Sequence, residues 1–565
     1  MSSISQIDLH LRTYRSALKS NLEITVNSLT NSHLKMASIL HPLGNNPHQV
    51  DLAALVYCLL RLPPSIDRTR KVIMGQSPTV FTTAGFPDVL NWSAASAPAR
   101  RRSCFFNSHS RLTAAFISSI SDVDDLVNQL IAFQTEWNKF HLLAQKKYST
   151  YLRFRSAVKS GEICQTIGAN PDDWQKFIVA LGPNHHLRLR RFYKYSQNIR
   201  LQLLAGSWID YTKTVQRWWK NIATIFSSTK SGNGRTKAAH ISRQQIYFVS
   251  SNSHSLLNTF TGFPLAIKTD LLKLAKEHHP DLYSLYQQIH SGDHPLSESD
   301  FFYYLFKNFS SDLKIKFKFD QIQNKLGIIS IPSAHHLDVP VQIFPVKSLL
   351  QSHHDSRLKI SKPHQLQNSD ALIFNIDYPL GFASYHVLNE ILENVNQVKG
   401  VYILGKAAVL NSEMGDIEIP RLVFDETTQN TYMFTNCFNH FFPFANSQGS
   451  ILTNQKAVSV LGTFLENEAL LKKYMANNIT VIEMESGPYL SAVTEATYDS
   501  QLPRHTIIDL NSAPLDIGII NYTSDTPYSK AKNLGAGQLE LNGVEPVYLG
   551  SLAILQRIIN LEEQS

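Results

Sequence analysis

From Ala371 onward the chain alternates short apolar runs with amphipathic stretches. ALIFNIDYPLG reads as a strand and turn, FASYHVLNEILENV as a helix, and GVYILGKAAVL as a strand broken by a Gly-Lys turn. IEIPRLVFDE, NTYMFTNCF and AVSVLGTF are strand-like, and NEALLKKYMANN is helical. VIEMES and IGIINYTSD are further strands, and PVYLGSLAILQRIINLEEQ closes the chain as a helix. Alternation of this kind predicts an α/β domain over residues 365–565, its mixed or parallel sheet covered by helices on both faces.

Upstream the pattern differs. IDLHLRTYRSALKSNLEITVNSL, DLAALVYCLLRLPPSI and SSISDVDDLVNQLIAFQTEWNKFHLLAQ carry apolar residues at three-to-four spacing. Residues 1–226 are therefore expected to be mostly helical, with Pro63-Pro64 as a stop. SAASAPARRRS, 93–103, is a small-residue linker candidate ending in Arg100, Arg101 and Arg102, which are expected to be solvated. SSTKSGNGRTKAAH, 227–240, is a second linker. Strand-like QQIYFVSS and LGIISIPSAHHLDVPVQIFPV then suggest a small α/β intermediate unit over 241–350.

Composition narrows the options. A chain of 565 residues suits two to four domains. With 43% hydrophobic and 17% charged residues it can bury real cores. No window reaches the roughly 18 apolar residues of a membrane span, and MSSISQIDLHLRTYRS has no apolar signal region, so a cytoplasmic protein with no membrane partner is expected. Cys58, Cys104, Cys164 and Cys437 are far apart, which speaks against a disulfide framework or zinc site; no metal or cofactor is expected. The net charge of +8 suits an anionic ligand.

Several local patterns carry two readings. His33 and His41 could share a helix face, but no third metal ligand accompanies them, and ordinary packed histidines are expected. Asp122, Asp124 and Asp125 crowd a helix start and are read as dipole-compensating acids. HHLRLRRFYKYSQNIRLQ interleaves Arg188, Arg190 and Arg191 with aromatics, as a nucleic-acid surface would. The helical spacing of Trp208, Trp218 and Trp219 fits a packing stripe better, which leaves nucleic acid the less favoured partner. SSNSHS after Val249 could cradle a phosphate; a simple Ser/Asn helix cap is preferred.

The strongest chemical signal is VIEMESGPYL. Glu483 and Glu485 stand one residue apart at a strand end, and Ser524-Asp525 end another strand forty residues on. Acids at the ends of strands in an α/β sheet lie where ligands bind. Helix capping is the competing reading.

With these residues in view, residues 371–561 resemble the nucleoside phosphorylase/nucleosidase superfamily. GVYILGKAAVL with Gly415-Asp416-Ile417 resembles its glycine-centred strand-turn and later GD element, VIEMES its ribose-binding segment, and NYTSDTPY the strand that supplies its catalytic aspartate. SDTPYSKAK is closest to AMP nucleosidases. The resemblance implies a purine N-glycosidase acting on a ribonucleoside or ribonucleotide. Asp525 would protonate the leaving base, Ser524 orient that carboxyl, and Glu483 orient water. Glu485 would grip the ribose over Met484, Gly405-Lys406 would hold a phosphate, and Phe438, Phe441 and Phe442 are candidates to stack on the base. A homo-oligomer is expected. Phosphorolytic members place an arginine shortly before the glycine of the second strand; here Tyr402-Ile403-Leu404-Gly405 has none, which favours hydrolysis over phosphorolysis. The turn Asp377–Gly381 is not Gly-x-Gly, so no phosphate is expected there. SQLPRHTIIDLNSAPLD is read as an insertion beside the pocket. A catalytically silent nucleotide- or nucleic-acid-binding module on the same fold is the alternative.

Overall fold

The computed structural model describes residues 3–228, 240–334, 336–439, 449–500, 502–527 and 543–564. It forms two sheets. The first holds β1 (Ile24–Thr25), β2 (Lys71–Gly75), β3 (Ser93–Ala94), β4 (Cys104–Asn107), β5 (Leu112–Phe116) and β6 (Arg200–Leu203), in the order β1-β6-β2-β5-β4-β3. The second holds β7 (Gln245–Ser251), β8 (Ile329–Ile331), β9 (Val341–Pro345), β10 (Leu372–Asp377), β11 (Gln397–Val409), β12 (Ile417–Asp425), β13 (Asn430–Met433), β14 (Ile451–Ser459), β15 (Val481–Glu483), β16 (Ile507–Asp509) and β17 (Asp516–Asp525). Helices pack against these sheets, so the chain is a mixed α/β protein.

The second sheet closes on itself. β11 pairs with β17, β17 with β12, β12 with β14, β14 with β15, and β15 back with β11. From this five-stranded ring, β7, β10, β9 and β8 extend beyond β11, while β13 and β16 extend beyond β12. The central strands are near-continuous runs of Val, Ile and Phe because both of their faces are covered. Trp218, on the helix Ser207–Ser228, donates from its indole N–H to the Val339 carbonyl at 2.9 Å and packs against Phe374 of β10. Trp218 and Trp219 are thus core residues, as helical spacing suggested; the side chain of Trp208 lies outside the described residues.

The expected boundaries change. Residues 241–350 are not laid out as a unit of their own: β7 lies parallel between β10 and β11, in the middle of the large sheet. Sequence order hides this, because β7 is separated from its partners by a long helical excursion between Ser253 and Lys325. The stretch 1–226 is rich in helix but also carries the six-stranded sheet, whose strands are two to five residues long and too short to show a period. Of the second linker, 229–239 fall outside the described residues.

The stretch 93–103 is largely exposed, as expected, but its arginines are not simply solvated. Arg102 is 5% exposed and donates to Asp122 Oδ1 at 2.8 Å and to Asp125 Oδ2 at 2.8 Å. Arg100 bridges to Asp125 at 2.6 Å, and Arg101 pairs with Asp377. Asp124 takes Tyr14 at 2.6 Å and Arg15. The acids at the start of the helix Ile120–Lys147 are therefore partners in buried ion pairs and not merely dipole-compensating groups. The basic-aromatic segment is likewise consumed by the core: Phe192 stacks on Trp137 with ring centroids 3.6 Å apart, and Arg191 pairs with Asp67 at 2.7 Å. His33 and His41 are buried in a hydrogen-bonded line in which His33 Nε2 lies 3.2 Å from His41 Nδ1, and His41 Nε2 lies 2.6 Å from Glu136.

The two halves share one core. Val458, Phe464, Leu471 and Ile482 of the C-terminal half belong to the same apolar cluster as Tyr14, Leu55 and Trp137.

Candidate active site

At one end of the closed ring of strands is a cavity of about 220 Å³. Its wall is built from β11 at Gly405 and Lys406, from the end of β15 at Glu483 with Met484 and Glu485, and from the end of β17 at Ser524 and Asp525. Seven residues singled out from the sequence thus face one space, although they come from three separate stretches of chain.

A β-bulge delivers the serine-aspartate pair. Ala407 pairs with Thr523, but Ala408 pairs with Asp525, leaving Ser524 as the extra residue. Neighbouring side chains on a regular strand face opposite ways. The bulge re-aims them so that both line the cavity. Ser524 Oγ donates to Asp525 Oδ2 at 2.8 Å, and Asp525 is 8% exposed.

The two glutamates divide their tasks. Glu483 ends β15 and turns back on the next helix: its Oε2 accepts from the N–H groups of Glu485 and Ser486, each at 2.7 Å, and Ser459 donates to its Oε1. This is the capping alternative, made real. The expectation that Glu483 orients water meets a carboxylate whose Oε2 already holds the start of the Ser486–Tyr498 helix and whose Oε1 already accepts the Ser459 hydroxyl. Glu485, beyond the strand end, accepts the Gly381 N–H at Oε1 at 3.1 Å. Burial pushes its carboxyl up to about 8, with a smaller push from Glu483. Burial also lowers Lys406 from its ordinary value; Asp525 opposes that shift, while Lys307 and Arg61 add to it.

The turn Asp377–Gly381 forms another side. Tyr378 and Leu380 line the cavity. Gly381 is at φ +52°, and a Cβ there would meet Ser121 Oγ at 2.5 Å, so glycine is required by both conformation and close approach. Ser121 in turn accepts the Phe382 N–H at 3.0 Å, fastening this turn to the start of the helix Ile120–Lys147. The Asp377 carboxylate is held by Arg101.

The N-terminal region closes the cavity. Ile39, Tyr57, Arg61 and Arg100 all line it. The Arg61 guanidinium lies over the Tyr57 ring, 3.6 Å from its centroid. Glu466 joins them from the segment after β14. Sequence reasoning does not place these residues at the site. Arg100 belongs to a basic run that could meet phosphate but reads better as a solvated loop; Tyr57 and Arg61 sit inside an ordinary amphipathic helix pattern, with no local mark of a site.

Two other expectations do not reach the cavity. Phe438 is fully buried on the core side of the sheet, its ring within 6.0 Å of Tyr402 and so close to Gly518 that a Cβ there would lie 2.3 Å from it. It packs the core and does not line the cavity. Phe441 and Phe442 lie outside the described residues. The segment 502–516, from the insertion expected beside the pocket, runs at the far edge of the sheet, where β16 pairs with β13. Its Arg504 and His505 line a separate, larger cleft of about 1510 Å³. Finally, Ser250 lines the cavity, but SSNSHS is a helix cap as preferred: Asn252 Oδ1 accepts the Ser255 N–H at 2.9 Å.

Among the described residues, no helix is long and apolar enough to cross a membrane. No curated protein matches the sequence. Similar solved structures include a 5′-methylthioadenosine/S-adenosylhomocysteine nucleosidase from S. pneumoniae, at 13% identity over 42% of this chain and 95% of that one, with a TM-score of 0.28. They also include the Arabidopsis thaliana 5′-methylthioadenosine nucleosidase, at 10% identity over 42% and 89% of the two chains, with a TM-score of 0.29. A uridine phosphorylase from Schistosoma mansoni is similar at 10% identity over 56% and 87%, with a TM-score of 0.30. A family model matches residues 26–560, nearly the whole chain, and the protein accordingly belongs to the family described as "Family of unknown function (DUF6909)".

Proposed function

We propose that this protein cleaves the N-glycosidic bond of a purine ribonucleoside or ribonucleotide. The observation that carries the reading is the convergence of Glu485, Met484, Ser524 and Asp525 on one enclosed cavity. Breaking the bond from the sugar C1′ to the base leaves positive charge on the ribose and sends the bonding pair to the base. Asp525, shielded from solvent and fixed by the Ser524 hydroxyl, gives its proton to the imidazole nitrogen of the departing base. An ionised Glu485 accepts hydrogen bonds from the ribose hydroxyls and stabilises the cationic sugar, and the Met484 thioether packs beneath it. Water then adds to C1′, and its proton restores the Asp525 carboxyl. Glu483 acts as a positioning residue that fixes the turn carrying Glu485.

One observation favours phosphate as a second reactant or as part of the ligand. The strand before Gly405 lacks an arginine, yet Arg61 and Arg100 reach the same cavity as Lys406 from the N-terminal region. Three cations in a partly dry space suit a phosphate group.

The test is product analysis. Purified protein is incubated with purine nucleosides and their 5′-monophosphates, with and without inorganic phosphate, and free base is measured by chromatography. Free base with ribose or ribose 5-phosphate is the expected result. Phosphate dependence with a ribose 1-phosphate product would establish phosphorolysis, and no base from any substrate under either condition would remove the proposal.

A further inference from the structure

Glu466 is a buried acid with no well-formed hydrogen bond. It is 3% exposed, and neither of its carboxyl oxygens meets a donor in good hydrogen-bond geometry. The Tyr474 hydroxyl lies between the two acids and makes its close bond to Glu426 Oε1, at 2.6 Å. Buried polar groups are almost always paired, so an orphaned carboxyl in a cavity wall is one whose partner is the occupant of that cavity. Glu466 lines the same space as Glu485 and Asp525.

The chain cannot easily relieve this by moving. The Glu466 carbonyl accepts the Ile39 N–H at 2.9 Å. The next residue, Asn467, donates from Nδ2 to the Met36 carbonyl at 3.1 Å and caps the helix Glu468–Ala476 by accepting the Leu470 N–H at 3.0 Å. Three residues earlier, Thr463 Oγ1 lies 3.0 Å from the Tyr57 hydroxyl. Residues 36–39 and 57, all in the N-terminal region, thus hold the 463–467 segment where Glu466 meets the cavity.

We propose that Glu466 is a specificity-determining residue, held in place by the N-terminal region, that reads the planar donor–acceptor edge of a nucleobase. This rests on the purine reading of the site given above. Burial, and after it the neighbouring Glu426, push the carboxyl well above the usual carboxylate range and so favour its uncharged form, with Tyr474 opposing them. A protonated carboxyl offers one donor and one acceptor in a plane, and it matches a ring nitrogen or carbonyl next to an N–H group, as adenine and hypoxanthine present. Loss of such a buried contact is discriminated far more sharply than loss of apolar area.

The full-length protein is titrated calorimetrically with adenine, hypoxanthine and 6-methylpurine, the last keeping the purine shape but lacking the N–H of that edge. Wild type is expected to bind adenine or hypoxanthine at least about 10-fold more tightly than 6-methylpurine. Glu466→Gln, whose amide still has a donor and an acceptor, keeps the preference. Glu466→Leu loses it while 6-methylpurine binding persists, and its melting temperature is not lowered, because an orphaned polar group has been removed. An unchanged preference in Glu466→Leu, or loss of the preference in Glu466→Gln with the fold intact, overturns the proposal alone. If wild type binds none of the three bases, the purine reading of the site and this proposal fall together.

Discussion

At the residue scale, the proposed chemistry rests on Asp525 and Glu485, and each makes a distinct prediction. Asn in place of Asp525 keeps the shape and the Ser524 contact but has no transferable proton. Asp525→Asn is expected to lower the rate of base release at least about 100-fold with an unchanged melting temperature. Glu485 makes a prediction in pH. Its carboxyl is pushed up to about 8, so in the free protein it is protonated at neutral pH. The ribose hydroxyls need an acceptor, so kcat/KM is expected to rise with pH through about 8, and Glu485→Gln should flatten that limb. The same shift affects stability. A carboxyl with a raised folded value binds its proton more tightly in the folded state, so its contribution is full below the ordinary glutamate value of 4.5 and is lost as pH rises to about 8. Denaturant titrations over that window should show a decline that is smaller in Glu485→Gln.

At the element scale, the site depends on three irregularities in otherwise regular structure: the bulge at Ser524, the left-handed Gly381, and the abrupt end of β15 at Glu483. Gly381 is the one that can be tested most cleanly. Gly381→Ala places a residue at φ +52° and drives a Cβ into Ser121. The backbone strain alone is about 1–3 kcal/mol, which should be visible as a fall in the denaturation midpoint. Combining it with Ser121→Gly should recover the part due to the clash and leave the part due to φ. Full recovery would show that the backbone conformation carries no cost here.

At the scale of the whole molecule, the N-terminal region and the large sheet form one packed body with the cavity at their junction. Arg102 is the centre of the charge network at that junction. It is buried between Asp122 and Asp125, while its neighbours Arg100 and Arg101 reach the cavity wall and the Asp377 turn. Arg102→Met leaves the buried Asp122 without its cation and Asp125 with Arg100 as its remaining one. A loss of about 3–5 kcal/mol is expected by chemical denaturation. Asp125 then holds Arg100 more tightly and away from the cavity, so ligand affinity should weaken as well. A variant as stable as wild type would mean that water reaches these acids.

How much of this was legible beforehand depends on the range of the interactions. Strand–helix alternation after Ala371 and the acids of VIEMES and NYTSD are local signals, and they located Glu485, Ser524 and Asp525 from the sequence by itself. Periodicity reports which residues are buried, but not against what. So Phe438 read equally well as a stacking ring or as core, and only its packing on Tyr402 and Gly518 decided for core. Charge patterns have the same limit: Arg100–Arg102 read as solvated because the acids of Arg100 and Arg102 lie on the start of a later helix, and that of Arg101, Asp377, lies farther still along the chain. The place of β7 inside the large sheet, and the entry of Tyr57, Arg61 and Glu466 into the cavity, required the tertiary structure. Those contacts join residues far apart in the chain, 406 positions in the case of Tyr57 and Thr463, and no local preference of the chain encodes them.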